Sequence, residues 1–414
     1  MSLIVQKYGG KSLADADKIR QVSRRIATAR EQGNQVVVVV SAMGGSTDGL
    51  IQLAGQITDS PDSREMDVLL STGELVSCAL VVMALQTLGE KAISLSGFQA
   101  GIRTDTGHRK AKIASIASDR VKQELDKGNI VVIAGFQGIT DSMDITTLGR
   151  GGSDTTAVAL AAQLEAVRCE IYTDVDGIYT ANPKFAPKAR RLNEIEYDEM
   201  LELASYGAKM EPRSIEIAMH YGVPVLIASS LTEGPGTLIH RGADMTTPSK
   251  RTVGELRQHV RSIAVDKNVA EIAVLGINDR PGIAAAIFEP LAEANVSVDI
   301  IVSSSGSEGT TDFSFTVKED DLKSALKIVE PVAKEIGCRS VSGSTGLAKI
   351  SIVGTGMQDA PGYAAKMFRA LSKANINIDV ITTSEIRITC LVDENKVEEA
   401  VRVLHDTFEL DKVK

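Results

Sequence analysis

Apolar residues run nearly unbroken through six short stretches in the first part of the chain. They are Leu3–Tyr8, Gln35–Val40, Ala92–Leu95, Ile130–Ala134, Cys169–Tyr172 and Val223–Ile227, all rich in Val and Ile. Continuous apolar character over so few residues predicts strands buried on both faces of a mainly parallel sheet. Between them, apolar positions recur at helical spacing. In Asp15–Gln32, Ile19, Val22 and Ile26 share one face, and Gly33 is placed to end the helix. The alternation predicts a doubly wound α/β domain, with ligands at the carboxyl ends of the strands.

The pattern changes over Arg241–Arg261, which mixes Pro, Thr, Ser and basic residues and predicts a linker. Beyond it the chain repeats itself. Asp279–Ser304 reads DRPGIAAAIFEPLAEANVSVDIIVSS and Asp359–Ser384 reads DAPGYAAKMFRALSKANINIDVITTS, an ungapped match at an offset of 80 residues. Each copy follows an apolar strand, Ile272–Ile277 or Ala348–Gly354, and continues into a second strand and helix, predicting a βαββα order. The Pro-Gly of each copy predicts a helix start, because Pro is tolerated in the first helical turn. So long a period means domain duplication rather than a solenoid. The expected division is 1–245 for the first domain, 246–262 for the linker, and 263–342 and 343–414 for the two copies.

Length and charge narrow the functional classes. A chain of 414 residues is too long for one ordinary core. A net charge of −9 argues against general affinity for nucleic acid or an anionic membrane, so an anionic substrate needs local positive charge. The four cysteines, Cys78, Cys169, Cys338 and Cys390, form no Cys-x-x-Cys pair, and the five histidines do not cluster. A reduced, cytoplasmic chain without a metal site is expected. No signal-peptide pattern opens the chain, and no apolar run is read as long enough to span a bilayer.

Four turns at strand ends carry candidate chemistry. Lys7-Tyr8-Gly9-Gly10-Lys11-Ser12 joins a strand to a helix, where glycines let backbone N–H groups approach a phosphate and Lys7 adds charge. It equally fits an ordinary tight turn. Ser41–Asp48 is rich in hydroxyls that suit phosphate, substrate or helix capping, with Asp48 read as a cap. In Thr146–Thr156, Arg150 stands among Gly149, Gly151 and Gly152, where its planar fork can reach a carboxylate or phosphate. Asp154 there opens a helix and also suits a cap. Thr173–Lys184 places Asp174 and Asp176 near a strand end, where a self-bonded turn is favoured over magnesium or ribose. Between these lies Ser71-Thr72-Gly73-Glu74; taken alone, Glu74 reads as an exposed helix residue rather than a counter-charge for an ammonium group.

Taken together and in order, KYGG, STGE, TTLGRGGSDTTA, YTDVDGIYTANP, YGAKM and the C-terminal repeat resemble the aspartokinase family, within the amino-acid kinases, along essentially the whole chain. The resemblance implies an amino-acid-kinase-type α/β sandwich with a mainly parallel central sheet, plus two C-terminal ferredoxin-like βαββαβ ACT domains. It implies ATP-dependent phosphorylation of the β-carboxylate of L-aspartate, with Mg2+ carried on the nucleotide. That is the first step toward lysine, threonine, methionine and diaminopimelate. Lys7, Gly9 and Gly10 would hold the transferring phosphoryl group, and Lys7 and Asp154 would be catalytic. Ser41, Thr47, Glu74, Arg150, Gly151, Gly152 and Ser153 would hold aspartate. Thr173, Asp174, Tyr179, Lys184, Lys209 and Met210 would line the nucleotide site.

The chemistry agrees with that division. A carboxylate nucleophile with a pKa of about 4 is ionised at neutral pH and needs no general base. The obstacle is an anion attacking a polyanion, which positioning and charge neutralisation must overcome. Two positions depart from the family. Lys11 stands where Ser or Thr is usual, and either adds a phosphate contact or points to solvent. Lys184 replaces an Arg, exchanging a bidentate contact for a point charge.

In relatives, ACT units bind lysine, threonine or both, usually across a subunit interface. The matching effector positions are Asn278, Asp279, Gly282, Ile283, Ser297 and Asp299 in the first copy, and Gln358, Asn375, Ile376 and Asp379 in the second. Ser303-Ser304 replaces a Gln-Asn pair common in lysine- and threonine-sensitive relatives, which leaves the first site's ligand open. A homodimer or higher assembly through the ACT domains is implied, and an internal start at Met245 could yield a separate regulatory subunit. The rival readings are another small-molecule kinase, acting on acetylglutamate, glutamate or a nucleotide, and a catalytically dead sensor. The first would not normally carry paired ACT units. The second should have lost Lys7, Glu74, Arg150 or Asp154, and none is lost.

Overall fold

The computed structural model describes residues 2–242, 260–305, 309–355, 357 and 361–412. Most of the expected linker, Met245, Gln358 and Asp359 lie outside the described residues. The chain forms two compact units that interleave in sequence. The first comprises Met1–Ile178, Arg191–Ser205 and Lys209–Val253; the second comprises Tyr179–Arg190, Tyr206–Ala208 and Gly254–Lys414. Two segments of the expected first domain therefore fold with the C-terminal repeat.

The first unit runs β1 (Leu3–Tyr8), a 3-10 turn (Gly10–Leu13), α1 (Ala16–Glu31), β2 (Gln35–Val40), α2 (Ser46–Ile57) and α3 (Ser63–Thr87). It continues through β3 (Ala92–Leu95), β4 (Ile102–Thr104), β5 (Ile113–Ile116), α4 (Asp119–Asp126), β6 (Ile130–Ala134), β7 (Gln137–Ile139) and β8 (Ile145–Thr147). Then come α5 (Gly152–Gln163), β9 (Arg168–Thr173), β10 (Glu194–Glu196), α6 (Tyr197–Ser205), α7 (Pro212–Tyr221), β11 (Val225–Ser229) and β12 (Thr237–His240). The main sheet has the order β10-β12-β11-β9-β1-β2-β6-β3 and is parallel except where β11 meets β12. A smaller sheet, β5-β4-β7-β8, has no counterpart among the expected strands.

Alternation along β1 sorts its side chains. Ile4 and Tyr8 join the core formed with Ile19, Val22 and Ile26 of α1 and Val81 and Leu85 of α3. Lys7, one residue out of phase, faces the opposite side, where it meets α5. Asp15 caps α1 by accepting from the Lys18 N–H, and Gly33 follows the helix with φ +88°.

The longest apolar helix, α3, corrects one expectation: its length and composition would suffice to cross a membrane. Half of that apolar stretch is buried inside the fold, and the same helix carries Asp67 and Glu74 into the interior, so it is a core helix.

The second unit holds β13 (Ser262–Asn278), α8 (Ile283–Glu293), β14 (Ile301–Ser305), β15 (Thr310–Val317), α9 (Leu322–Glu335), β16 (Ser340–Val353), α10 (Tyr363–Lys373), β17 (Val380–Ser384), β18 (Arg387–Asp393) and α11 (Val397–Thr407). Its strands make one sheet of order β14-β15-β13-β16-β18-β17, with antiparallel pairing throughout. The two long strands are shared between the copies. Ile263 packs with Ile350, Met367 and Leu404 in the second copy's core, whereas Ala270–Ile277 pack with Ile287 and Val329 in the first. Val341 of β16 reaches into the first core in return. Each copy thus completes βαββαβ with half a strand from its neighbour.

The repeat's two signature dipeptides act differently from each other. Helix α8 begins at Ile283, so Pro281 precedes the helix rather than sitting in its first turn; Gly282 takes the cap position with φ +95°. Gly362 does the same before α10. Asn295 and Asn375, of the Ala-Asn pairs, have φ +56° and +54° just after the two helices, a position that favours Gly or Asn.

Candidate active site

Three loops converge at the carboxyl ends of β1, β2 and β9. Gly9 N–H donates to Tyr172 O at 3.3 Å, and Ser41 N–H to Tyr8 O at 3.1 Å. Ser12 Oγ lies 2.7 Å from Ser230 Oγ, which in turn donates to Thr173 O. Gly10 packs so closely on the next loop that a Cβ would stand 2.6 Å from Ala42 O; only glycine fits there.

Lys7 is buried, and its Nζ lies 2.5 Å from Asp154 Oδ1 in the first turn of α5. The two form an ion pair without hydrogen-bond alignment, so Oδ1 has no hydrogen-bond partner. The residue preceding α5 is Gly151, with φ +68°, and a Cβ there would run into the Glu211 side chain. Asp154 therefore does not cap the helix; it meets the lysine. Ser153 is buried beside Gly135, where an added Cβ would come within 2.8 Å of its Oγ. Arg150 is exposed on the Gly149–Gly152 turn.

Glu74 is not the exposed helix residue its local sequence suggests, being only 4% exposed. Its Oε1 accepts from the Ala42 N–H at 3.0 Å, and its Oε2 is buried without a partner. Burial lifts its carboxyl to about 7, with the Ala42 N–H working against the rise. Such a group can be neutral in the empty protein and become the counter-ion of a bound cation. Thr47 and Asp48 lie in the first turn of α2, whose cap is Gly45; Asp48 caps nothing.

Asp174 is not a self-contained turn residue either. Lys209 Nζ lies 2.5 Å from its Oδ1 and Lys11 Nζ 2.9 Å from its Oδ2. Burial acts to raise the Asp174 carboxyl, but the two ammonium groups outweigh it and hold it well below the usual carboxylate range. Met210, next to Lys209, is buried. Tyr179 and Lys184 lie on Tyr179–Arg190, the segment that folds with the second unit; Lys184 N–H donates to Asn182 Oδ1 there.

In the second unit, Asn375 and Ile376 line an open depression of ≈ 620 Å³ with Phe368, Ser372, Asn377 and Ile378. Asp379 Oδ1 accepts from Asn377 Nδ2. In the first copy, Asp279 N–H donates to Gly309 O, and Ser297 is exposed. Asp299 accepts from the buried ammonium of Lys349.

Asp67 carries no motif signal. Its spacing of seven residues from Glu74, two helical turns along one buried face of α3, is the single mark it leaves in the sequence.

Comparison with known proteins decides the family. The model of the amino acid kinase family matches residues 2–229, and that of the ACT domain matches residues 272–331 and 350–408. Aspartate kinase from Stutzerimonas stutzeri is 47% identical over 412 residues, covering 99% of this chain and 98% of that protein. The chain belongs to the aspartokinase family. Aspartokinase 2 of Bacillus subtilis is 45% identical over 413 residues, covering 100% of this chain and 99% of its own length. The crystal structure of E. coli aspartokinase III in complex with aspartate and ADP aligns with a TM-score of 0.81 at 26% identity, covering 98% of this chain and 100% of the other. The same enzyme in complex with lysine and aspartate aligns with a TM-score of 0.73 at 25% identity, over 98% and 99% of the two chains.

Proposed function

We propose that this aspartokinase transfers the γ-phosphoryl group of ATP to the β-carboxylate of L-aspartate, giving 4-phospho-L-aspartate and ADP. A carboxylate oxygen forms the new P–O bond while the bond from phosphorus to the ADP oxygen breaks. No proton need be removed, because the nucleophile is already ionised. ATP enters as its magnesium complex. Lys7, with the backbone of Gly9 and Gly10, neutralises charge on the transferring group, and Asp154 holds the Lys7 ammonium in place. Ser41, Thr47 and the Gly151–Ser153 backbone frame the aspartate. Arg150 takes its α-carboxylate and Glu74 its ammonium. Thr173, Asp174, Lys209 and Met210 serve the nucleotide.

The observation that carries this reading is Glu74: a buried carboxylate with one unpartnered oxygen, beside loops of the phosphate-binding type. An unpaired buried anion is costly unless a ligand's cation completes it. Aspartate supplies an ammonium group and a second carboxylate to be phosphorylated.

The duplicated ACT region supports feedback control by lysine, threonine or both. Two features support assembly with a second copy. The outer strands β14 and β17 lie at opposite edges of their sheet, and they expose Ile301, Val302 and Ile381. Intact mass of native material tests for a separate regulatory subunit that starts at Met245.

An ATP-dependent hydroxamate assay tests reaction and substrate together. Aspartate should be trapped as its hydroxamate, and glutamate and acetylglutamate should not. Lys7→Ala should lower kcat by about 100-fold or more, as loss of a group stabilising transition-state charge does. Near-normal turnover in that variant would sink the catalytic assignment of Lys7. Repeating the assay with lysine and threonine, singly and together, tests the control; no change in rate or Tm removes it.

A further inference from the structure

We infer that Asp67 is a positioning residue for the aspartate site, acting on Arg150 through the two segments it ties together. The inference rests on the assignment of Arg150 to the substrate carboxylate.

Asp67 is 0% exposed, at the start of the buried face of α3. A lone buried carboxylate is strongly disfavoured, so its partners define its purpose. Its Oδ1 accepts from Thr147 Oγ1 at 2.6 Å. The Arg109 N–H lies 3.1 Å from Oδ1 and 3.0 Å from Oδ2. His108 Nδ1 lies 2.9 Å from Oδ2. One side chain thus holds the end of β8 and the loop between β4 and β5.

Those two segments are the walls of the Arg150 turn. Thr147 is three residues before Arg150, and its carbonyl accepts from the Ala111 N–H at 2.9 Å. Arg213 bridges the same pair from outside, donating to Leu148 O at 2.8 Å and Ala111 O at 3.0 Å. Gly149, with φ +81°, lies against the Arg109 carbonyl; a Cβ there would be 3.1 Å from that oxygen. Arg109 itself has φ +70°, a conformation disfavoured for a residue with a side chain, and Asp67 grips its N–H. The loop is therefore held in a shape it would not choose, and that shape supports the turn bearing Arg150. Two turns along the same helix, Glu74 fixes the Ser41–Asp48 loop through Ala42. A single rigid helix thereby sets the spacing of the proposed anion and cation partners of the substrate.

The test separates positioning from stability and from the Arg150 assignment. Asp67→Asn should raise the aspartate KM by about 10-fold and leave the ATP KM within about twofold, the mark of lost aspartate positioning. Thr147→Val should act in the same direction by about 3-fold, and Thr147→Ser, which keeps the hydroxyl, should reverse most of that rise. If Asp67→Asn does not fold, the two Thr147 variants carry the test. Arg150→Met alone should raise the aspartate KM; if it does not, the Arg150 assignment fails and the inference falls with it. Given that rise, the double variant Asp67→Asn/Arg150→Met should be no worse than Arg150→Met, because the two act through one contact. Additive losses in the double variant, or equal rises in both KM values, would overturn the inference and leave Asp67 a structural residue.

Discussion

Lys11 Nζ stands 2.9 Å from Asp174 Oδ2, joining the glycine-rich loop after β1 to the loop after β9. Lys11 is largely exposed yet paired: with Lys209 it brackets one carboxylate.

Lys11 is 77% exposed at its side chain, so its pairing adds little to stability. Its charge should matter for nucleotide binding instead. Lys11→Thr should raise the ATP KM by about 2- to 5-fold at low ionic strength, with the gap shrinking as salt screens the charge. The aspartate KM and Tm should stay near their starting values. Initial-rate kinetics at two salt concentrations and a melting curve check all three.

Glu74 gives a pH dependence with a definite sign. Its carboxyl titrates at about 7 in the folded, empty protein, against an ordinary value of 4.5. A carboxyl raised on folding stabilises fully below its unfolded pKa and loses that contribution as pH rises through the folded value. Ionised Glu74 should therefore destabilise the empty protein by up to about 3 kcal/mol above neutrality. Glu74→Gln should raise Tm at pH 8 and change it little at pH 5. The same variant should raise the aspartate KM by about 10- to 100-fold, since it removes a charged hydrogen-bond partner. In the parent enzyme the aspartate KM should climb as pH falls below about 7, where Glu74 takes up its proton. A pH-independent aspartate KM would remove the ammonium-binding role.

Asp154 should be needed for the placement of Lys7, with no role as a base. Asp154→Asn should lower kcat by about 10-fold or more while the pH profile keeps its shape, because no proton transfer is lost. A lost acidic limb in the kcat profile would point to base chemistry after all.

The apolar runs made β1, β2, β3, β6 and β9 legible, because strands buried on both faces leave an unbroken signature. Strand β11 starts two residues later than its apolar run, at Val225; Pro224 has no N–H to give to a ladder, although its carbonyl accepts from Cys169 N–H. The small sheet was illegible, because strands such as Gln137–Ile139 and Ile145–Thr147 are three residues long and too short to show a period. The glycine loops expected at the strand ends do come together there. What they could not mark was pairing at long range: Lys7 with Asp154, Glu74 with the Ala42 N–H, and Lys11 with Asp174 are set by tertiary approach. The interleaving of the two units was hidden for the same reason. Ala181 and Ala186 pack with Ile350 and Leu404, and Thr180 Oγ1 lies 3.1 Å from buried His405 Nε2, yet nothing local in Tyr179–Arg190 announces that partner.

The last prediction concerns the effector. Asp299 is an expected effector position, and its carboxylate is already engaged by Lys349 from the second copy's first strand. Lys349 is only 4% exposed, and its ammonium also lies 5.7 Å from the Tyr206 ring centroid. An effector that brings a side-chain ammonium to Asp299, as lysine does and threonine does not, must compete with this built-in one. Lys349→Met removes the competitor and keeps most of the side-chain volume, while the half-exposed Asp299 carboxylate can turn to water. Inhibition by lysine should then require about 3- to 10-fold less effector, the size expected for one competing charge contact. A neutral side chain such as that of threonine should gain nothing. Inhibition curves for both amino acids on the parent and the variant decide it. An unchanged lysine curve, in an enzyme that lysine inhibits, would mean that the cationic effector does not use Asp299.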